Sequence, residues 1–211
     1  MPEQLPLFPL QLVLFPGERL KLHIFENRYK QLISECIDAG SEFGIATYFD
    51  GRVTEYGTAA RVTECDRTYD TGEMDIATEG TRVFRLSTFE KIADGKLYAA
   101  GEAEWLDNVP AQDTGHEEEI WTLHARLHAL LATGHDTVPG AGPNLSFSLG
   151  HEVGLTTAEQ VELLAIPEEE RRQRFLLDHL RKAVSALEGF ADTRLRVQGN
   201  GQFHKFPQID L

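Results

Sequence analysis

The hydrophobic pattern changes period near residue 110, and this change constrains the fold more than any other feature. From Leu5 to about Val109 apolar residues come in short runs and alternations; from Asp113 to Phe190 they recur every three or four residues. Period two belongs to strands and period 3.6 to helices. The chain therefore reads as α+β: a β-rich part over residues 1–110, a helical part over 111–191 and a C-terminal tail over 192–211. At 211 residues it is long enough to bury a self-sufficient core.

In the first part, Leu20, Leu22 and Ile24 alternate with Lys21 and His23, and Phe43 to Phe49 is an apolar run suited to a buried strand. Met74 with Ile76, Val83 to Phe89, and Lys96 to Trp105 predict further strands. Gly57, Gly72, Gly80 and Asp94-Gly95 read as the turns between them. One helix interrupts this pattern: Tyr29, Leu32, Ile33, Cys36 and Ile37 form a single stripe, with Glu26 at its start and Gly40 as its C-cap.

In the second part, Asp113 or Thr114 is the expected cap of a helix carrying Ile120, Leu123, Leu127, Leu130 and Leu131. A Gly- and Pro-rich loop over 134–143 precedes a weak helix at Asn144–Val153. Thr156 or Thr157 caps a short helix, and Thr157 with Gln160 has capping-box spacing. Pro167 and Glu168 to Glu170 open a longer helix with Phe175, Leu176, Leu180, Val184 and Leu187 on one face. The pattern lapses from Ala191, and an extended tail is expected from Arg194 to Leu211.

Acids outnumber bases 34 to 20, a formal charge of −14. That surplus opposes general binding to nucleic acid or anionic membrane. Basic residues are scattered, and Arg171, Arg172 and Arg174 directly follow three glutamates. The first residues lack the basic start of a secretion signal, and no apolar run approaches the roughly 20 residues of a membrane span. Cys36 and Cys65 are too few for a disulfide framework and read as two buried thiols of a cytoplasmic protein.

Little in the chain suggests chemistry. His124 and His128, four apart on a helix, have the spacing to chelate a divalent ion. They fall between the leucine positions, on a face read as solvated, with no third ligand fixed, so no metal is expected. None of the serines sits in a G-x-S-x-G elbow. With 34 carboxylates some proximal pair is inevitable, so no acid–base dyad is argued. Glu117 to Glu119 at a helix start are electrostatically favoured there. No catalytic, cofactor-binding or metal-binding residue is expected.

Leu5-Pro6-Leu7-Phe8-Pro9-Leu10, Phe15-Pro16-Gly17 and Leu22-His23-Ile24-Phe25-Glu26-Asn27-Arg28-Tyr29 resemble the opening of the N-terminal domain of Lon proteases. The similarity continues in order through Phe43-Gly44-Ile45, Tyr56-Gly57-Thr58, Gly80-Thr81-Arg82-Val83-Phe84, Val161 to Ala165 and Arg172 to Leu177, spanning about residues 5–187. The resemblance implies a PUA-like β-rich pseudo-barrel followed by a helical subdomain. It also implies a role in holding unfolded or tagged polypeptides without performing chemistry. The G-x-x-x-x-G-K-[ST] loop of an ATPase does not occur, Gly95-Lys96 being followed by Leu97, and the sequence stops where that module would begin. A stand-alone recognition domain, without ATPase or Ser-Lys protease parts, is therefore expected.

Within that resemblance Pro9, Pro16, Gly17, Phe25, Glu26, Arg28, Tyr29, Gly57 and Gly80 read as fold-defining. Prolines suit strand edges and turns, and Glu26 with Arg28 is expected to anchor the helix to the barrel. The expected function is non-enzymatic recognition of polypeptides or an adaptor through exposed apolar surface between the halves, with Val138, Pro139, Phe203 and Phe206 as contacts. No cofactor, nucleic-acid or membrane partner is expected. Two alternatives stand beside it: a scaffold docking a folded partner through the acidic face, and a small-molecule or enzymatic role in a barrel pocket. An exposed apolar groove favours peptide binding; a convergent polar pocket favours the last reading.

Overall fold

Strand formation in the first part follows from side chains that are buried on both faces of one sheet. The computed structural model describes residues 3–112, 115–132 and 144–200, with side chains described as far as 190. Its strands are β1 (Glu3–Leu10), β2 (Arg19–Ile24), β3 (Phe43–Phe49), β4 (Arg52–Thr68), β5 (Met74–Leu86) and β6 (Ala99–Trp105). They form one mixed sheet in the order β2-β5-β4-β3-β1-β6, and β5 pairs with β6 as well. Among the described strands only β1 and β3 pair in parallel, with Leu7 opposite Gly44 and Leu10 opposite Thr47. The α+β class holds, as a six-stranded mixed sheet with helices.

Helix α1 (Asn27–Ala39) connects β2 to β3 and buries Tyr29, Leu32, Ile33 and Cys36, the stripe its sequence predicts; Ile37 is exposed. Gly40 ends it in the left-handed conformation at φ 60°, as expected. Beneath it lie Phe8, Ile24, Phe43, Ile45 and Ile76. The opposite faces of the same strands, Leu5 and Leu7 of β1, Ala46 of β3 and Phe84 of β5, build a second core cluster. This two-sided burial is why Phe43–Phe49 lacks alternation.

Two expectations about turns are corrected. Gly57 and Gly80 lie inside β4 and β5, which makes β5 one strand of 13 residues rather than two. Both are glycine because of close approach. A Cβ at Gly80 would strike the Phe15 carbonyl oxygen, and one at Gly57 would sit 2.6 Å from the Ile45 carbonyl oxygen and against the Phe84 ring. Gly17, by contrast, is a turn glycine, at φ 83°, following Pro16 within a turn closed by a Glu18 N–H to Phe15 carbonyl bond of 3.1 Å; Gly72 and Gly95 also occupy turns, at φ 76° and 68°, as expected.

The chain divides into two compact units, Met1–Thr114 with Pro139–Gln173, and Gly115–Val138 with Arg174–Leu211. The sheet-bearing unit also holds α3 (Leu145–Leu149), α4 (Thr157–Leu164) and the first turn of α5 (Glu169–Asn200). Its ring of Phe15 stacks on Phe147 of α3 at 5.4 Å. The cap of α4 is Thr156, one of the two residues expected, and its capping box is made with Glu159 rather than by Thr157 with Gln160. At the start of α5, Glu169 and Arg172 form a buried ion pair of 2.8 Å.

The second unit comprises α2 (His116–Leu131) and the rest of α5. Arg181 holds Glu119 through two bonds of 2.9 and 2.8 Å, and Arg126 holds Glu188 at 2.9 Å. The cap of α2 is Gly115; Asp113 and Thr114 lie outside the described residues. His124 is 6% exposed rather than on a solvated face, because α2 turns Ile120, His124 and Leu127 to one buried side. α5 continues to Asn200, so residues 194–200 are helical rather than extended; adding a residue to a formed helix needs little local support. Cys36 is buried as expected, but Cys65 is exposed near the far end of β4.

Candidate functional site

Among the described residues ten large hydrophobic side chains remain exposed, and five of them, Tyr48, Phe49, Phe89, Ile92 and Leu97, line one groove of the sheet-bearing unit. Single exposed apolar residues carry no message, whereas a contiguous set marks a binding surface. The groove has a volume of about 1230 Å³. It is open rather than enclosed, since of its lining only Tyr29, Leu86 and Ala99 are buried.

One side is the tip of the β3–β4 hairpin. Phe49 pairs with Arg52 around Asp50-Gly51, whose φ values of 50° and 77° are those of a type I′ turn. The register shifts between Ala46 and Tyr48, and the Thr54 hydroxyl bonds the Thr47 and Tyr56 carbonyls at 3.1 and 2.9 Å. Such an irregularity re-aims side chains at the end of a ladder, here Tyr48 and Phe49.

The other side is the segment joining β5 to β6. At its base, Ser87 N–H donates to the Glu102 carbonyl at 2.9 Å, and Glu90 and Ala100 exchange backbone bonds of 2.8 and 3.0 Å. The predicted Asp94-Gly95 turn is present, with Gly95 at φ 68°. The segment is then fastened to α1. Lys96 Nζ reaches Glu35 at 2.8 Å, Leu97 N–H donates to Gln31 Oε1 at 3.0 Å, and the Tyr98 hydroxyl donates to Glu35. The bonds from Lys96 and Tyr98 hold the Glu35 carboxyl below the usual carboxylate range. Burial, then Glu35, pushes the Tyr98 phenol well up, so it stays a donor. Ile92 and Leu97 are thereby presented from a fixed segment.

The floor comes from Pro9 of β1 and Tyr29 of α1, whose ring stacks on Phe8 at 3.9 Å. Four charged residues lie along the lining: Arg28, Arg52, Lys91 and Glu55. Arg28 is paired with Glu26 at 2.7 Å, and Glu55 with Arg85. Arg52 and Lys91 have no side-chain ion pair or hydrogen bond among the described residues.

Of the motif residues, Pro9, Arg28 and Tyr29 come together in the groove. Glu26 and Arg28 pair with each other on the surface, not with the sheet. Phe25 is 59% exposed and stacks on His23 at 6.0 Å. Val138, Pro139, Phe203 and Phe206 lie outside the described residues. The five exposed apolar residues were not anticipated by sequence reasoning. Asp50-Gly51 between Tyr48-Phe49 and Arg52-Val53 was the available signal for the hairpin tip. His124 and His128, the spaced pair, bring their Nε2 atoms to 3.0 Å of each other.

The mixed sheet thus carries an open, aromatic-lined groove, a form that recognition surfaces commonly take. Residues 4–182 match the family described as the ATP-dependent protease La (LON) substrate-binding domain, and the chain belongs to that family. It is similar to a Lon N-terminal domain protein from Xanthomonas campestris, with 30% identity and a TM-score of 0.64, over 83% of this chain and 98% of that one. The N-terminal domain of a Mycobacterium avium complex Lon protease shares the fold at 17% identity and a TM-score of 0.56, over 85% of this chain and 98% of that one. The Lon substrate-binding domain is a non-catalytic, substrate-recognising module. No helix among the described residues is long and apolar enough to cross a membrane.

Proposed function

We propose that this chain recognises unfolded polypeptides, directly or with an adaptor, by taking extended apolar stretches into the groove between the β3–β4 hairpin and the β5–β6 segment. The observation that carries the reading is the convergence of Tyr48, Phe49, Phe89, Ile92 and Leu97 on one open surface. Aromatic and aliphatic side chains held by a rigid frame supply contact area without a large ordering cost. The openness favours a chain over a small molecule. Small-molecule sites typically bury most of their ligand's surface, whereas this groove is open and only Tyr29, Leu86 and Ala99 of its lining are buried. Free Cys36 and Cys65 fit a reducing, cytoplasmic setting.

The test is a fluorescence titration against a reduced, permanently unfolded model protein, with its folded form as control. Selective binding to the unfolded form is expected. Replacing Ile92 and Leu97 together by serine should weaken it about tenfold or more, the usual effect of removing central apolar contacts. Equal binding to both forms, or full affinity in the Ile92→Ser/Leu97→Ser variant, would reject the proposal.

A further inference from the structure

The groove differs in charge from the molecule that carries it. Acids exceed bases by 14 over the whole chain, yet three of the four charged residues lining the groove are cations. The two internally paired ones, Arg28 with Glu26 and Glu55 with Arg85, contribute little net field. What remains is Arg52 on the hairpin side and Lys91 on the β5–β6 side, both exposed and neither in an ion pair among the described residues. Although the chain has an excess of carboxylates, neither cation has an acidic partner among the described residues, and both line the same groove as the exposed apolar side chains.

Resting on the polypeptide-binding reading above, we propose that the groove selects its segments by charge: it takes an apolar stretch flanked by aspartate or glutamate. The apolar residues occupy the surface formed by Phe49, Phe89, Ile92 and Leu97, and the flanking carboxylates meet Arg52 and Lys91. Arg52 offers a planar fork that fits a carboxylate bidentately, and Lys91 a mobile point charge. Carboxylate flanks also distinguish this surface from a merely greasy one. The net negative charge of the molecule as a whole opposes acidic chains, which favours the groove as the place where such a segment settles.

The experiment compares three short peptides, capped at both ends and sharing one Phe/Leu core, with aspartate, serine or lysine flanks. Fluorescence anisotropy against the full chain is read at about 0.15 M salt, where the Debye length of about 8 Å screens the distant acids but spares direct pairs. The aspartate peptide should bind about threefold to tenfold more tightly than the lysine peptide, the range two exposed ion pairs supply. In the Arg52→Ser/Lys91→Ser variant that preference should vanish while the serine peptide keeps its affinity. A preference that persists in this variant, or equal affinity of all three peptides for the unaltered chain, overturns charge selection. If all three bind equally and all lose affinity in the Ile92→Ser/Leu97→Ser variant, the polypeptide groove stands and only its selectivity falls. If no peptide binds, the groove reading itself fails and takes this inference with it.

Discussion

Arg172 shows how one residue can organise a junction. Its side chain is 1% exposed, as is that of Glu169, its partner at 2.8 Å. The guanidinium also donates to the Ile166 and Pro167 carbonyls, both at 2.8 Å, to Asn108 at 2.7 Å and to the Ser146 hydroxyl at 2.9 Å, and it lies over the Phe147 ring. Glu169 in turn accepts from the Ser146 N–H at 3.0 Å. Burial lowers the Arg172 pKa, with Glu169 opposing the shift, but a guanidinium remains charged at any ordinary pH. One side chain thus joins the segment after β6, helix α3 and the start of α5. Arg172→Met would leave the Glu169 carboxylate buried and unpaired, and should cost about 3–5 kcal/mol by chemical denaturation. Adding Glu169→Gln removes the stranded charge while keeping an acceptor for Ser146, so the double variant should be the more stable of the two. A loss below about 1 kcal/mol in the single variant, the level of an exposed pair, would show that the network does not hold the junction.

Elements were legible where a pattern lay within one segment and illegible where a neighbour decided it. The stripe of α1 and the run of β3 could be read directly, because one is a regularly spaced set of large apolar side chains and the other a compact, mostly apolar run within a single segment. Strand β4, at 17 residues the longest, could not. Its buried residues Gly57, Ala59 and Ala60 are small on both faces of the sheet, and the Phe84 ring of β5 fills the space in front of Gly57. Gly80 misled for a related reason: its need is the nearby Phe15 carbonyl, which no local pattern announces. The groove combines residues near 9, 28, 48–56, 86–99 and 161, so its exposed apolar residues acquire meaning only once the sheet brings them together.

The joint between the Pro16-Gly17 turn and the loop after α3 carries a prediction of its own. His151 Nε2 lies 3.2 Å from Glu18 Oε2, which also accepts from Phe15 N–H at 2.9 Å. The bond to Glu18 raises the His151 pKa above its ordinary 6.5, against the opposing effect of burial. A group whose pKa is higher folded than unfolded binds protons more tightly in the native state. Its stabilisation is full below pH 6.5 and is lost as pH climbs through the higher folded value. Urea midpoints of the unaltered chain and a His151→Gln variant should therefore differ most at pH 5.5 and converge by pH 8.5. A gap that widens with pH would contradict the assignment.

At the scale of the whole molecule, a charge of −14 and a cationic groove act on the same ligand at different distances. A carboxylate-flanked segment approaching from afar meets net repulsion; within a few ångströms of Arg52 and Lys91 it meets attraction. Salt separates the two effects, because the Debye length falls from about 30 Å at 0.01 M to about 8 Å at 0.15 M. Screening the long-range repulsion should raise the association rate, since electrostatic steering acts on encounter. Weakening the contact pairs should raise the dissociation rate as well, since groups touching in the complex govern how long it lasts. Both rate constants for the aspartate-flanked peptide should therefore increase with salt in stopped-flow measurements. The lysine-flanked peptide, attracted from a distance, should associate more slowly as salt is added. If the aspartate peptide instead associates fastest at low salt, the field it meets is that of a cationic surface larger than two residues, and the rest of the acidic shell does not reach the mouth of the groove.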